Sequence, residues 1–140
     1  MVKQVSVFLP NEPGVLAKFT ELLENNKINI RALTVAETAD YGILRIIVNN
    51  PDKCIEVLRN ANYLVSETDV LAFEVEDKPG GLHRIANLMG ENNINIEYLY
   101  STLTSKTAII LMRVNDLEKA STLLKDAGIK IFSGSEIYSI

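Results

Sequence analysis

Two short loops, each built around a Pro-Gly pair, hold the polar residues whose types and spacing could do chemistry. The first reads Asn11-Glu12-Pro13-Gly14-Val15-Leu16, and the second reads Asp77-Lys78-Pro79-Gly80-Gly81-Leu82. In both loops a polar side chain stands two residues before the proline. Amide and carboxylate oxygens accept hydrogen bonds from an ammonium group, and a glycine allows a ligand to approach the backbone closely. This pattern predicts binding of an α-amino acid.

The loops belong to a repeat that runs through the whole sequence. At the offset of 66 positions that separates Pro13 from Pro79, the segment Ile28–Ile30 meets Ile94–Ile96, both reading Ile-Asn-Ile. Apolar positions match along the remainder of each copy, as Leu58 and Leu124 illustrate. Two copies are too few for an open solenoid. The sequence therefore predicts two small packed domains, residues 1–68 and 69–140.

Each copy has the pattern of strand, helix, strand, strand, helix, strand. Alternating polar and apolar residues predict strands at Gln4–Leu9 and Val70–Glu76, and Pro13 and Pro79 suit the first position of the helices that follow. Hairpins are expected with arms Ile30–Thr38 and Tyr41–Asn49, then Ile96–Leu103 and Thr107–Asn115, and with turns near Ala39-Asp40 and Ser105-Lys106. The last strands are expected at Tyr63–Glu67, Ile129–Phe132 and Glu136–Ile140.

These elements predict an α+β protein made of two ferredoxin-like βαββαβ units. Each unit would have an antiparallel sheet with its helices on one face. The two sheets are expected to pack as one larger sheet, because only Thr68-Asp69 separates the predicted last strand of the first copy from the first strand of the second.

A helix that begins just after each loop would offer unpaired backbone N–H groups and the positive end of its dipole to a carboxylate. We expect the N–H groups near Gly14-Val15 and Gly80-Gly81 to hold the carboxylate, and Asn11 or Asp77 to hold the amino group. Asn29-Ile30 and Asn95-Ile96 open the next strands and are expected to lie nearby. Gly81, a second glycine in its loop, either makes room for a ligand or allows tight packing.

Composition argues against several other classes of protein. The chain has 140 residues, a formal net charge of −4, and 47% hydrophobic residues, which is enough for a core. Its apolar runs are shorter than the roughly 20 residues of a membrane helix, and no basic run favours nucleic acid. The single cysteine, Cys54, and single histidine, His83, stand in no metal or nucleophile pattern. We expect a cytoplasmic protein without catalytic residues, metal or cofactor.

The doubled pattern Asn/Asp-x-Pro-Gly-x-Leu, followed by a helix and by Asn-Ile at the next strand, resembles the ACT domain family, here as a tandem pair. The resemblance implies regulation, since ACT domains bind amino acids or other small effectors at interfaces between paired domains and usually accompany enzymes of amino-acid metabolism. It implies ligand contacts by Asn11 with Asn29 and by Asp77 with Asn95. Some members have a histidine four residues before the proline, where this sequence has Leu9 and Val75.

The resemblance favours a stand-alone sensor of a free amino acid that forms a homodimer and acts in trans on an unidentified enzyme or transporter. One alternative is a ligand-free protein assembly module of the same fold. An RNA-binding sheet is disfavoured because the acidic chain lacks paired aromatic residues on its strands. A Pro-Gly pair after a strand can also serve only to begin a helix, so the loops alone do not decide between a sensor and an assembly module.

Overall fold

The computed structural model describes residues 1–38, 40–103 and 107–140, with Leu103 described in its backbone alone. The predicted hairpin turns at Ala39-Asp40 and Ser105-Lys106 therefore fall largely outside the described residues. The chain divides into two compact units. The first unit comprises Lys3–Thr68 and Tyr138–Ile140, and the second comprises Met1–Val2 and Asp69–Ile137.

The first unit follows the predicted order of elements. These are β1 (Val2–Pro10), α1 (Val15–Asn25), β2 (Ile30–Glu37), β3 (Tyr41–Val48), α2 (Pro51–Asn60) and the beginning of β4 (Val65–Val75). Strand β3 lies between β2 and β1 and pairs antiparallel with both. On the other side of β1, the N–H of Phe8 donates to the carbonyl oxygen of Leu64 at 3.2 Å.

The second unit repeats this arrangement with the remainder of β4. It continues with α3 (Gly81–Glu91), β5 (Ile96–Leu103), β6 (Ala108–Val114), α4 (Leu117–Asp126) and the short β7 (Ile131–Phe132). Strand β6 pairs antiparallel with β5 and β4, and β7 pairs antiparallel with β4. The N–H of Glu74 donates to the carbonyl oxygen of Lys130 at 3.0 Å, which matches the bond between Phe8 and Leu64. The predicted ferredoxin-like βαββαβ fold is confirmed in both units.

Each unit has its own apolar core, formed where two helices cover one face of its sheet. In the first unit, Phe19, Leu23 and Leu58 from the helices pack with Val7 and Ile46 from the strands. The second unit uses the matching positions: Ile85, Met89 and Leu124 from the helices, with Phe73 and Met112 from the strands. Because side chains alternate along a strand, the residues between these core positions lie on the helix-free face.

The helices α2 and α4 begin at polar caps. The side chain of Asn50 accepts a hydrogen bond from the N–H of Lys53 at 3.2 Å, and that of Asp116 accepts one from the N–H of Lys119 at 3.0 Å. Each bond satisfies one of the backbone donors that a helix N-terminus leaves unpaired. The caps fix where both helices begin.

Three expectations about the elements are wrong. Pro13 and Pro79 do not occupy the first helical position, because a left-handed glycine follows each proline and the helices begin at Val15 and Gly81. The separate strands predicted at Tyr63–Glu67 and Val70–Glu76 are one continuous strand, β4. Thr68 and Asp69 have extended backbones within it and make no turn.

The third wrong expectation is the strand at Glu136–Ile140, where the structure has the short helix α5 (Gly134–Tyr138). Ser133 and Glu136 form a capping box. The N–H of Ser133 donates to Oε1 of Glu136 at 3.1 Å, and the N–H of Glu136 donates to Oγ of Ser133 at 3.3 Å. The spacing Ser-x-x-Glu was the signal for this helix in the sequence.

Gly81 is required by its own loop. A Cβ atom at this position would overlap the carbonyl oxygen of Glu76, whereas the matching position in the first unit holds Val15. Gly90, within the same helix α3, has open space around its missing side chain. Tight packing inside the loop therefore accounts for the second glycine.

We expect Gly81→Ala to lower the free energy of unfolding, because the backbone of the Glu76–Gly81 loop must move to accommodate the methyl group. Gly90→Ala is the matched control within the same helix. It should raise stability by roughly 0.5–1 kcal/mol, since alanine has the higher helix propensity. Urea denaturation of the three proteins measures both effects. Equal stability of Gly81→Ala and wild type would contradict this reading of the loop.

Cys54 lies in the core of the first unit. The side chain is fully buried, and burial raises the pKa of its thiol from 9.0 to about 11. The thiolate is the reactive form of cysteine, so the native thiol is poorly suited to nucleophilic or redox chemistry.

Native protein at pH 8 should react with a thiol reagent such as dithionitrobenzoate far more slowly than protein in 6 M guanidinium chloride, because only unfolding exposes and ionises Cys54. The raised pKa of Cys54 also makes the stability of the protein depend on pH. Between pH 9 and 11 the unfolded chain loses the thiol proton and the native chain keeps it, so this group lowers stability as the pH rises. Rapid labelling of the native protein would contradict the buried position.

Candidate functional site

The two Pro-Gly loops have the same backbone geometry. Gly14 has φ 84° and ψ −12°, and Gly80 has φ 89° and ψ −11°. Each follows a proline in a four-residue turn, closed by a hydrogen bond from the Val15 N–H to the Glu12 carbonyl oxygen at 3.4 Å in the first loop. The matching bond joins the Gly81 N–H to the Lys78 carbonyl oxygen at 3.1 Å. Both are type II β-turns, in which the third residue needs a positive φ.

Helices α1 and α3 begin directly after these turns. Among the described side chains, none makes a capping hydrogen bond at either helix, unlike Asn50 and Asp116 at the other two. The first-turn N–H groups of a helix have no acceptor within the helix, and its dipole makes this end positive. The two loops therefore present uncapped donors and a positive potential, which suit a carboxylate.

Asn11 is held in place by the hairpin between β2 and β3. Its N–H donates to the carbonyl oxygen of Asp40 at 3.0 Å, and its Nδ2 donates to Oε2 of Glu37 at 3.2 Å. A carboxylate only accepts hydrogen bonds, so the amide must turn its nitrogen toward Glu37. The arrangement leaves the amide oxygen and the second carboxylate oxygen as acceptors beside the loop.

Glu37 is a residue of this site that no local pattern in the sequence indicates. It lies 26 residues from Asn11, and only the antiparallel register brings them together. In that register Leu9 and Glu37 both align with Gly42 of β3, which places the end of β2 near the end of β1. The signal available in the sequence was the polar residue at the end of the first hairpin arm, which a βαββαβ unit places at the same edge as the loop.

The second loop has its acidic residues at different positions from the first. Asp77 is itself a carboxylate, and the position that matches Glu37 at the offset of 66 is Leu103. Lys78 forms an ion pair with Glu76, with 2.6 Å between Nζ and Oε2, and this pair lowers the pKa of the Glu76 carboxyl group below its usual value. Both side chains are mostly exposed. Each loop thus has two acidic residues next to or within it that match no acid in the other copy, Glu12 and Glu37 in the first and Glu76 and Asp77 in the second.

Asn29 and Asn95 do not lie beside the loop of their own unit, so this expectation is wrong. Strand β2 runs from Ile30 to Glu37, and the loop lies at the Glu37 end. Eight residues of extended strand separate Asn29 from that edge by more than about 20 Å. The same strand geometry applies to Asn95 and β5.

A different contact fixes both asparagines at the start of their strands. The N–H of Asn29 donates to Oδ1 of Asn49 at 2.9 Å, and the N–H of Asn49 donates back to the Asn29 carbonyl oxygen at 3.0 Å. Asn95 and Asn115 repeat this pair at 3.0 Å and 3.3 Å. Because these bonds use the main chain, the side chains of Asn29 and Asn95 remain exposed.

The other predicted residues divide between surface and core. Glu12 and Lys78 are exposed, as are Leu16 and Leu82 in the first turns of their helices. The three apolar residues Val15, Ile30 and Ile96 pack against the cores of their units. Their positions serve the fold directly.

A cleft lies beside the first helix of each unit, next to the Pro-Gly loop in the second unit and along the length of α1 in the first. The cleft in the second unit has a volume of about 480 Å³ and is lined by Lys78, Gly80, Gly81 and Arg84 among others. The cleft in the first unit, about 590 Å³, is lined by Val15, among others. Both volumes fall within the roughly 300–1,000 Å³ of small-molecule sites.

Arg84 adds a fixed cation to the second cleft. Its Nη2 donates to the carbonyl oxygen of Ala127 at 2.8 Å, which holds the guanidinium group at the end of α4. The matching residue in the first cleft is Lys18. A cation is therefore available at both clefts for an anionic group.

Groups suited to metal binding do not converge in the described part of the chain. Across residues 1–38, 40–103 and 107–140, no three His, Cys, Asp or Glu side chains are grouped so that they could hold a metal ion. His83 is exposed. Within the same residues, no helix has both the length and the apolar character needed to cross a membrane.

Comparison with solved structures agrees with this fold. The crystal structure of protein BT0572 from Bacteroides thetaiotaomicron has a TM-score of 0.94 and 34% sequence identity, covering 99% of this chain and 96% of that chain. The regulatory subunit of aspartate kinase from Thermus thermophilus, in its ligand-free form, has a TM-score of 0.67 at 14% identity and covers 89% of this chain and 91% of that chain. At this identity the second similarity shows the fold alone.

Comparison by sequence gives a relative and a family. A probable acetolactate synthase small subunit from Archaeoglobus fulgidus is 34% identical over 73 residues, which are 50% of this chain and 46% of that protein. The match thus spans about half of each. Residues 1–137 match the family described as the ACT domain pair. The chain belongs to the ACT domain pair family.

Proposed function

We propose that this protein is a stand-alone regulatory sensor that binds a free amino acid at its Pro-Gly loops and acts on a separate enzyme or transporter. The observation that carries the proposal is the uncapped start of α1 beside the Asn11–Glu37 pair. One small region thus offers donors for a carboxylate and acceptors for an ammonium group. The proposal agrees with the name of one relative by sequence, a probable acetolactate synthase small subunit.

In the proposed complex, the carboxylate of the amino acid accepts hydrogen bonds from first-turn N–H groups. These belong to Gly14 and Leu16 in the first unit, and to Gly80 and Leu82 in the second, since the N–H groups of Val15 and Gly81 close the turns. Such bonds are charge-assisted and do not depend on a flexible side chain. The left-handed glycine before each helix leaves the approach to these groups free of a Cβ atom.

The ammonium group would bind the acceptors that face the same loop. In the first unit these are the amide oxygen of Asn11 and the Glu37 carboxylate, and in the second the Asp77 carboxylate. A charged acceptor strengthens such a bond and favours an amino acid over a simple carboxylic acid. The two loops can therefore bind the same class of ligand through different acidic residues.

Asn29 and Asn95 can contact the ligand only under one condition. Since neither reaches the loop of its own unit, a role in ligand binding requires a loop from another unit, in the same chain or in a second chain. We propose that the protein forms a homodimer. Ligand binding then regulates a partner only if the ligand has different affinities for two arrangements of the protein.

One observation favours the alternative of a ligand-free assembly module. Leu16 and Leu82 occupy matching positions in the first turns of α1 and α3, and they are 45% and 43% exposed. A matched pair of exposed leucines suits a protein interface as well as the rim of a ligand site. Ligand binding separates the two functions.

Thermal unfolding of the purified protein with each of the twenty amino acids tests the sensor directly. A ligand that binds only the native state should stabilise it by about 2.7 kcal/mol at a hundredfold excess over its dissociation constant. We expect one or a few amino acids to raise Tm and the rest to leave it unchanged. No shift with any amino acid would contradict the sensor and favour the assembly module.

Calorimetry should then measure the affinity of wild type and variants for the amino acid that raises Tm, and so show how each loop contributes to binding. Glu37→Gln should weaken binding at the first loop by about tenfold or more, because hydrogen bonds to charged groups contribute roughly 1.5–3 kcal/mol. Asp77→Asn should do the same at the second loop.

Glu24→Gln is the matched control for this experiment. It removes the same charge from an exposed residue at the far end of α1. We expect its affinity to equal that of wild type. Unchanged affinity in both Glu37→Gln and Asp77→Asn would exclude these carboxylates as the ammonium ligands.

A further inference from the structure

The first unit exposes apolar side chains on the helix-free face of its sheet. Phe8 is 43% exposed, Tyr41 is 56% exposed and Leu64 is 69% exposed. Phe8 lies between the core residues Val7 and Leu9, so it points away from the helices. Phe8 and Ile43 are directly paired across β1 and β3, which brings partly exposed Ile43 alongside. We call Phe8, Tyr41, Ile43 and Leu64 the apolar patch.

The backbone register explains why these residues form one surface. Pro10 pairs with Tyr41 at the end of the same two strands, and the N–H of Phe8 donates to the Leu64 carbonyl oxygen on the other side of β1. Direct cross-strand neighbours have their Cβ atoms about 4.5–5.5 Å apart. The patch therefore spans β3, β1 and the segment before β4.

The second unit shows that the fold does not require this patch. At the offset of 66, Phe8 corresponds to Glu74 and Leu64 corresponds to Lys130, while Tyr41 corresponds to Thr107. The backbones match, since the Glu74 N–H donates to the Lys130 carbonyl oxygen as the Phe8 N–H does to that of Leu64. A charged pair thus occupies the place of an exposed apolar pair on the same scaffold. A requirement other than folding accounts for the apolar residues.

Acidic residues border the patch on the side of the Asn11 loop. Glu12 follows Pro10 by two residues, Asp40 directly precedes Tyr41, and both residues are exposed. Arg45 lies on the same face, where it pairs with Ser6, two residues before Phe8 on β1. The Arg45 side chain already takes part in an interaction. The end of the patch nearest the loop is therefore negative.

We propose that the apolar patch is a docking surface for a partner protein whose contact segment combines apolar side chains with lysine or arginine. Apolar contacts would supply the buried centre of the interface, and cations of the partner would face Glu12 and Asp40. The surface is separate from amino-acid binding and does not require it. It gives a regulatory protein a place at which to contact the protein it regulates.

Charge decides against other occupants. In a two-fold contact this surface would meet its own copy, which brings the same carboxylates of Glu12 and Asp40 rather than new cations, because such an interface uses the same surface twice. Phosphates of a nucleic acid or an anionic membrane would be repelled by the same carboxylates. The apolar patch and its acidic border therefore complement a segment of another protein that is both cationic and apolar.

The double variant Phe8→Glu/Leu64→Lys tests the proposal. It copies the residues found at the matching positions of the second unit, which that unit's backbone accommodates, and it leaves the net charge unchanged. The probe is a labelled amphipathic peptide with leucine and phenylalanine on one face and lysine on the other. Two control peptides replace its lysines with glutamate or its apolar residues with serine. Fluorescence polarisation at physiological salt measures Kd.

We expect wild type to bind the cationic apolar peptide and neither control peptide. The double variant should bind it about tenfold more weakly or worse, because a few central apolar residues supply most of the energy of such interfaces. Glu12→Gln/Asp40→Asn should weaken binding more at low salt than at high salt. Circular dichroism and Tm establish that each variant is folded.

Leu33→Glu/Val35→Lys is the matched control. It makes the same chemical change at two exposed residues of β2 whose cross-strand partners, Ile46 and Leu44, belong to the core, so they lie on the opposite face. We expect this variant to keep the wild-type Kd.

Three results would overturn the proposal. One is equal binding by wild type and Phe8→Glu/Leu64→Lys, which would indicate attraction by net charge alone. Another is absence of binding to the cationic apolar peptide. The last is self-association of the wild type that Phe8→Glu/Leu64→Lys abolishes, measured by light scattering, which would assign the patch to a second copy of the chain.

Discussion

The left-handed backbone of Gly14 and Gly80 is the constraint on which both candidate sites depend. Each glycine completes a type II turn after proline, and the turn sends the chain from a strand directly into a helix. The cap position of α1 and α3 is this glycine, which has no polar side chain like those that begin α2 and α4. A residue with a side chain would be strained at either glycine, because such residues rarely adopt positive φ. One backbone conformation thus creates both the fold of the loop and the uncapped helix end at which we propose that a carboxylate binds.

The two copies have kept this loop and have diverged around it. The first unit pairs Asn11 with Glu37, and the second carries Asp77 in the loop itself. On the helix-free face, Phe8 and Leu64 correspond to Glu74 and Lys130. Since the matching backbone hydrogen bonds are present in both units, the scaffold tolerates either set of side chains. The repeat therefore serves as an internal control that separates what the fold needs from what a site or a surface needs.

Local patterns allowed most of the fold to be predicted. The 66-residue repeat, the period of apolar residues in each helix, and the caps at Asn50 and Asp116 act over a few residues, so the printed sequence contains them. The errors came from competing local signals. Pro13 fits either a first helical turn or the second position of a type II turn, and the glycine after it decided for the turn. At the C-terminus, the β-branched and aromatic residues of Glu136–Ile140 favoured a strand, but the capping box of Ser133 and Glu136 stabilises a helix.

The sequence by itself determined the repeat, the βαββαβ order and the polar loops, because each depends on residues that are neighbours in the chain. Only the tertiary structure decided which distant residues meet. Antiparallel pairing placed Glu37 beside Asn11 and moved Asn29 to the far end of the sheet, and it joined Phe8, Tyr41 and Leu64 into one exposed surface. Strand order and register set these contacts, and both are fixed by the burial of Phe19, Leu23 and Leu58 against one face of the sheet rather than by any local motif.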